Sequence, residues 1–162
     1  MLGAFVVGWS VFESVLDVAI SRQLKITDEQ GLIVTSGLAF ERKLQILIAL
    51  LSLEKDEHRS TISSLKRIKK VAARNLLLHG NIWIGDDHLH FVQVLTDDGL
   101  KAREIKHNVK NFATSIQEIM QLVESVKSAL SITDDDRSRF GALGKKLARE
   151  ATEARDRRAT TG

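Results

Sequence analysis

Apolar residues recur every three or four positions through most of the chain, which is the spacing of helices that bury one face. The clearest stripe is the last one, which follows Asn108, a residue suited to an N-cap, and ends at Leu130. An earlier start signal is the capping pattern that begins at Thr27. The predicted helices cover residues 3–24, 27–34, 38–53, 57–79 and 109–130.

Between the fourth and fifth predicted helices the pattern changes to that of short strands. Residues 82–84, 89–96 and 100–105 are separated by turn-forming Asp and Gly residues, which predicts a β-hairpin or a small three-stranded meander. The predicted fold class is mostly α: a four- to five-helix up-down bundle with the hairpin or meander inserted before the last long helix. We expect this bundle to occupy residues 1–131.

The composition shifts after the bundle. Three aspartates precede a stretch rich in Arg, Lys, Ala and Glu, in which Phe140, Leu143 and Leu147 predict a short amphipathic helix. We expect residues 132–162 to form a basic, partly helical tail that is disordered from Arg155 onwards. The basic residues of such a tail are suited to bind a phosphate backbone. The tail also fits a solvated segment that binds no nucleic acid, since aromatic residues that stack on bases are nearly absent from it.

Bulk composition narrows the class of protein. A chain of 162 residues fits one domain, and the lack of cysteine excludes disulfides, thiolate metal sites and cysteine nucleophiles. The net charge of +3 gives a mild preference for anionic partners.

Glu13 and Asp17 interrupt the apolar N-terminal run before it reaches the length of a membrane span. We therefore expect a buried first helix, no membrane association and a cytoplasmic location.

Polar residues that suit chemistry converge at the end of the fourth predicted helix. Asn75 and His79 are four residues apart and share the face of the buried stripe, while Arg74 lies about 100° round the helix from Asn75. Lys66 and Lys70 precede Arg74 at intervals of four residues and form, with it, a basic stripe. A histidine, an amide and a guanidinium therefore meet at one helix end, with positive charge leading up to them.

The segment Arg74-Asn75-Leu76-Leu77-Leu78-His79 resembles the arginine, polar residue and histidine signature of HEPN domains, which lies at a helix end in a four- or five-helix bundle. The likeness covers six residues in motif and about residues 4–130 in architecture. It implies a metal-independent endoribonuclease that acts as a homodimer, and it suggests a toxin or defence system with an antitoxin or another protein as partner. It also implies an alternative, a non-catalytic helical-bundle module that binds nucleic acid or protein.

For a catalytic member, the resemblance implies a role for each residue. His79 removes the proton from an RNA 2′-hydroxyl, whose oxygen attacks the adjacent phosphate and leaves a 2′,3′-cyclic phosphate. Arg74 holds that phosphate, Asn75 orients His79 or the substrate, and the basic stripe binds RNA. Glu13, or Asp17 on the same helix, is a candidate to fix the imidazole tautomer.

Structural explanations compete with these roles. A histidine at a helix C-terminus suits the macrodipole, and Arg74 and Asn75 are able to form a salt bridge and a cap. Glu13 and Asp17 fit a solvated helix face.

Other candidate sites are weaker. His88 and His90 share one strand face beside Asp86 and Asp87, but their spacing matches no strong metal signature and the aspartates fit a turn. Segment 141–146 resembles a phosphate loop only faintly, because it lacks the hydroxyl after the lysine and a preceding strand. We therefore expect no cofactor and assign no metal ligands.

Overall fold

The chain is mostly α-helical, as the hydrophobic pattern predicts. The computed structural model describes residues 2–54, 56–75, 81–85, 88–95 and 101–160, with side chains described for 7–54, 56–71, 85, 88, 106 and 108–157. The described residues form α1 (Leu2–Gln23), α2 (Asp28–Thr35), α3 (Phe40–Leu51), a 3₁₀ turn (Ser52–Glu54), α4 (Arg59–Asn75), β1 (Asn81–Ile84), β2 (His88–Leu95), β3 (Lys101–Asn108), α5 (Val109–Ala129) and α6 (Asp134–Thr160).

Helix α1 packs against α2, α3, α5 and α6. The sequence predicts one apolar stripe in α1, at Phe5, Trp9, Phe12, Leu16 and Ala19, with a polar stripe beside it that includes Ser21. However, Val15, Val18 and Ile20 are buried outside the apolar stripe, and Ser21 is buried too. Because neighbouring helices cover several sides of α1, burial extends beyond one face. Among the described helices, none combines the length and the apolar character needed to cross a membrane.

Two helix starts depend on local hydrogen bonds that the sequence predicts. Before α2, the Thr27 hydroxyl accepts from the Gln30 amide at 3.3 Å, and the Gln30 side chain accepts from the Thr27 amide at 3.0 Å. Before α5, the Asn108 side chain accepts from the Lys110 amide at 2.9 Å. These contacts satisfy N–H groups that lack a partner inside the helix, and both predicted caps are confirmed.

Helix α4 packs against α3 and α5, and the strands follow it along the chain. The three strands form one antiparallel sheet in the order β1-β2-β3, with Phe91 opposite Ile82 on β1 and Ile105 on β3. Strand β3 leads directly into α5. The sequence predicts that α4 continues to His79, which lies outside the described residues.

Helix α6 is longer than the sequence predicts. It continues through Thr160, whereas the pattern predicts a short helix and disorder from Arg155. Its first turns belong to the bundle, since Phe140, like Ile132 just before the helix, lies in the same core cluster as the buried residues of α1. Beyond them, residues 145–157 are almost entirely exposed.

Local interactions support the exposed half of α6 where tertiary packing does not. Lys146 lies 3.8 Å from Glu150, and Arg149 lies 3.4 Å from Glu153, both at the i, i+4 spacing that favours a helix. The segment 141–146 lies inside this helix rather than in a loop, so it does not form a phosphate loop.

Candidate functional site

Helix α4 concentrates positive charge. It contains six basic residues and no acidic residue, although the whole chain has a net charge of only +3. Carboxylates elsewhere in the chain balance most of this charge, so the helix is a locally basic element in a nearly neutral protein. The six residues are Arg59, Lys66, Arg67, Lys69, Lys70 and Arg74.

The helical register separates an inner and an outer side of α4. Leu65 and Ile68 are fully buried, and position 75 follows Ile68 by seven residues, or about two turns, so it lies on the inner side. Position 74 follows Lys70 by four residues and lies on the outer side. Arg74 and Asn75 are the last two residues of α4, and His79 lies outside the described residues.

The two lysines of the basic stripe are open to solvent. Lys66 and Lys70 are exposed, and neither forms an ion pair within the part of the chain that the structure describes. One helical turn separates them, so both side chains extend from the same side of α4. An anion that approaches this side therefore meets cations whose charge is not already neutralised.

The two cations beside the stripe are held by neighbouring helices. The Arg67 Nε donates a hydrogen bond to Glu118 on α5, which raises the pKa of the guanidinium, and the carboxylate charge acts in the same direction. The Lys69 Nζ lies 2.9 Å from Glu41 on α3. These pairs connect α4 to both helices that it packs against, and they leave Lys66 and Lys70 without a carboxylate partner among the described residues.

Asp17 is not the solvated carboxylate that the sequence suggests. The Lys43 Nζ lies 2.8 Å from Asp17 Oδ1 and donates to Oδ2 at 3.0 Å, and the two side chains are only 9% and 16% exposed for Lys43 and Asp17. Lys43 comes from α3, 26 residues later, so the pairing depends on helix packing that local sequence does not reveal. Glu13, one turn earlier, is half-buried and has no hydrogen bond or ion pair to another described residue.

A second polar cluster lies where α6 begins. Asp136 Oδ2 accepts from the Thr133 amide at 2.8 Å and from the Thr133 hydroxyl at 2.7 Å, and Oδ1 lies 2.6 Å from an Arg22 nitrogen on α1. These hydrogen bonds from Thr133, followed by the Arg22 contact, lower the pKa of Asp136 to about 2. Arg139 also donates to Asp136 and pairs with Asp28 on α2, so this cluster joins α6 to the bundle.

Candidate metal ligands differ from those that the sequence suggests. Asp86 and Asp87 lie outside the described residues, and His88 and His90 stand opposite Asn108 and Lys106 in the pairing of β2 with β3.

The structure brings together a different group, Glu54, Glu57 and His58, whose ligand atoms lie within 4.8 Å of one another. The imidazole of His58 is only 13% exposed and lies 3.4 Å from the more exposed carboxylate of Glu54, which gives the histidine a local partner. The three residues lie within five positions of one another, which is a sequence signal for a shared site. The sequence analysis assigns Glu57 and His58 to the start of a predicted helix and does not single them out.

A scan against protein-family models finds no match to this chain, and searches of curated proteins and of solved structures find none. The likeness to HEPN domains therefore depends on the motif at residues 74–79 and on the helical architecture.

Proposed function

We propose that this chain is a HEPN-like, metal-independent endoribonuclease that binds RNA along the outer side of α4 and cleaves it at the end of that helix. One observation carries the proposal: the basic stripe, with Lys66 and Lys70 exposed and unpaired among the described residues, leads to the Arg74–His79 motif. RNA is the fitting substrate because its phosphates attract such a stripe and its 2′-hydroxyl supplies the nucleophile.

The proposed reaction needs a base and a cation. Neutral His79 accepts the proton of the 2′-hydroxyl, and the 2′-oxygen forms a bond to the adjacent phosphorus. The bond from phosphorus to the 5′-oxygen breaks, and that oxygen takes a proton from solvent water, which gives a 2′,3′-cyclic phosphate and a 5′-hydroxyl, while the proton on His79 returns to solvent. Arg74 holds the phosphate and offsets the negative charge that develops on it, while Asn75 orients the imidazole or the substrate.

Glu13 is the proposed partner of the second imidazole nitrogen. Of the two carboxylates considered for this role, Asp17 is engaged with Lys43, whereas Glu13 has no partner among the described residues. A carboxylate in that position would fix the tautomer that leaves the reactive nitrogen unprotonated. Glu13→Gln is expected to lower the cleavage rate less than His79→Ala, because it affects the orientation of the base and not the base itself.

The proposal includes a homodimer in the cytoplasm, with two motifs facing one cleft, and a protein partner of the antitoxin kind. Static light scattering of the purified chain tests the first part. A dimer mass at micromolar concentration is the expected result, and a monomer that cleaves RNA at full rate would contradict a shared cleft.

The main experiment compares variants on RNA in the presence of EDTA. Wild-type protein is expected to cleave a mixed-sequence RNA, while His79→Ala and Arg74→Ala lower the rate at least about 100-fold, the scale of a lost general base. His58→Gln is the matched control, because His58 precedes α4, has Glu54 as its partner and has no proposed catalytic role, and because glutamine keeps much of the volume of a side chain that is only 13% exposed. Equal cleavage by wild type and His79→Ala would contradict the proposal.

Binding is measured separately from cleavage, by fluorescence anisotropy of a labelled RNA. Tight binding without cleavage would favour the alternative, a non-catalytic helical-bundle module that binds nucleic acid. The absence of both binding and cleavage would contradict the ribonuclease proposal. It would leave the exposed side of α4 as a surface for another kind of partner.

A further inference from the structure

The exposed, unpaired lysines of α4 among the described residues, Lys66 and Lys70, lie on one side of the helix. Lys66, Lys70 and position 74 follow one another at intervals of four residues, so they advance about 6 Å along the axis and turn by only about 40° at each step. Ser63 is also exposed, three residues before Lys66, and adds a hydroxyl donor on the same side of α4. Lys66 and Lys70 thus form a short row of cations that turns gradually round the outer side of α4 and precedes the motif in the sequence.

The surroundings make this row narrow. Arg67 is neutralised by Glu118 on the α5 side, and Lys69 is neutralised by Glu41 on the α3 side. Among the described side chains of α4, the cations without a carboxylate partner are therefore the two lysines of the row, Lys66 and Lys70. A broad basic surface accepts polyanions in many orientations, whereas a narrow row favours a chain of phosphates that runs parallel to the helix.

The interval of the row also fits a nucleic-acid strand. Lys66 and Lys70 are separated by an axial rise of about 6 Å, and their flexible stems allow the two ammonium groups to reach neighbouring phosphates of one strand. Lysine suits this task, since its ammonium is a point charge on a flexible stem and reads no base. The row therefore distinguishes strands by length and not by sequence.

We propose that Lys66 and Lys70 form an extended phosphate-binding subsite that makes the protein select long RNA strands over short oligonucleotides. The inference rests on the RNA binding in the proposed function and not on cleavage. A strand that occupies the motif and continues along α4 offers two further phosphates to Lys66 and Lys70. A dinucleotide is too short to reach these lysines. Affinity rises with strand length until the row is filled.

The test measures binding of single-stranded RNA of two, four and eight nucleotides at several salt concentrations. Wild-type protein is expected to bind the octanucleotide at least about tenfold more tightly than the dinucleotide, with a steep salt dependence. In Lys66→Gln/Lys70→Gln this advantage is expected to fall to about threefold or less. The slope of log affinity against log salt for the octanucleotide is expected to fall by about 1.4, since each phosphate contact on a single strand contributes about 0.7.

Lys145→Gln is the matched control, because Lys145 is exposed on α6, unpaired among the described residues and remote in sequence from the stripe. It is expected to keep the wild-type advantage and slope. An octanucleotide advantage that survives in the double variant, or that falls equally in Lys145→Gln, would overturn the inference while leaving cleavage at the motif untouched. If the wild-type protein selects long strands but does not cleave them, the nuclease proposal alone is overturned.

Discussion

Asp136→Asn is expected to lower the free energy of unfolding by about 2 kcal/mol at neutral pH. The carboxylate is 11% exposed, and hydrogen bonds from Thr133 together with Arg22 lower its pKa from 3.8 to about 2. One pKa unit corresponds to about 1.4 kcal/mol, which makes the charged form about 2 kcal/mol more favourable in the folded protein. Because the folded-state pKa is the lower one, this stability is present above about pH 4 and is lost as the pH falls towards 2.

Urea denaturation followed by circular dichroism measures this effect at pH 7, 5, 4 and 3. The wild type is expected to exceed Asp136→Asn by about 2 kcal/mol at pH 7 and by about half of that near pH 3. Asp135→Asn is the control, because Asp135 is exposed in the same helical turn and is expected to lose less than about 1 kcal/mol. Equal losses in the two variants, or a difference undiminished at pH 3, would refute the assignment of this stability to the Asp136 cluster.

Further stability changes follow from packing. Gly31→Ala is expected to destabilise the protein by about 1–3 kcal/mol, because the added Cβ would overlap the Ser21 hydroxyl. Gly141→Ala, where the added Cβ meets nothing within 4 Å, is expected to stabilise it by about 0.5–1 kcal/mol. Melting temperatures that change in the same direction in the two glycine variants would contradict these two predictions. Lys43→Met is expected to lose about 3 kcal/mol in urea denaturation, because it removes the cation from Asp17, and adding Asp17→Leu is expected to recover most of that loss. A double variant no more stable than Lys43→Met would show that the orphaned carboxylate is not the cause.

The sequence predicts those parts of the fold that depend on near neighbours along the chain. The caps at Thr27 and Asn108 need only side-chain and backbone groups within three residues, so their predictions are confirmed. The buried face of α5 is predicted for the same reason, since its stripe recurs without interruption, and Phe112, Ile119 and Val123 are buried.

Features that depend on distant packing were not predictable. The pairing of Asp17 with Lys43 requires α1 and α3 to be in contact, and the burial of several sides of α1 requires most of the bundle. The length of α6 was underestimated because its apolar stripe ends near Leu147, whereas charged pairs support the helix beyond that point.

For the candidate site, sequence reasoning identified the exposed lysines of α4. It did not identify the carboxylates that neutralise the cations on either side, Glu41 and Glu118, because they come from other helices. The position of His79 stays a prediction.

The chemistry of the RNA ends tests the ribonuclease proposal most directly. RNA is incubated with wild-type protein and with His79→Ala in EDTA, and the 3′ ends of the fragments are identified by mass spectrometry. The proposal predicts 2′,3′-cyclic phosphates from the wild type, none above background from His79→Ala, and no cleavage at a position whose 2′-hydroxyl is replaced by hydrogen. Fragments that end in 3′-hydroxyls, or cyclic phosphates formed equally by both proteins, would contradict it.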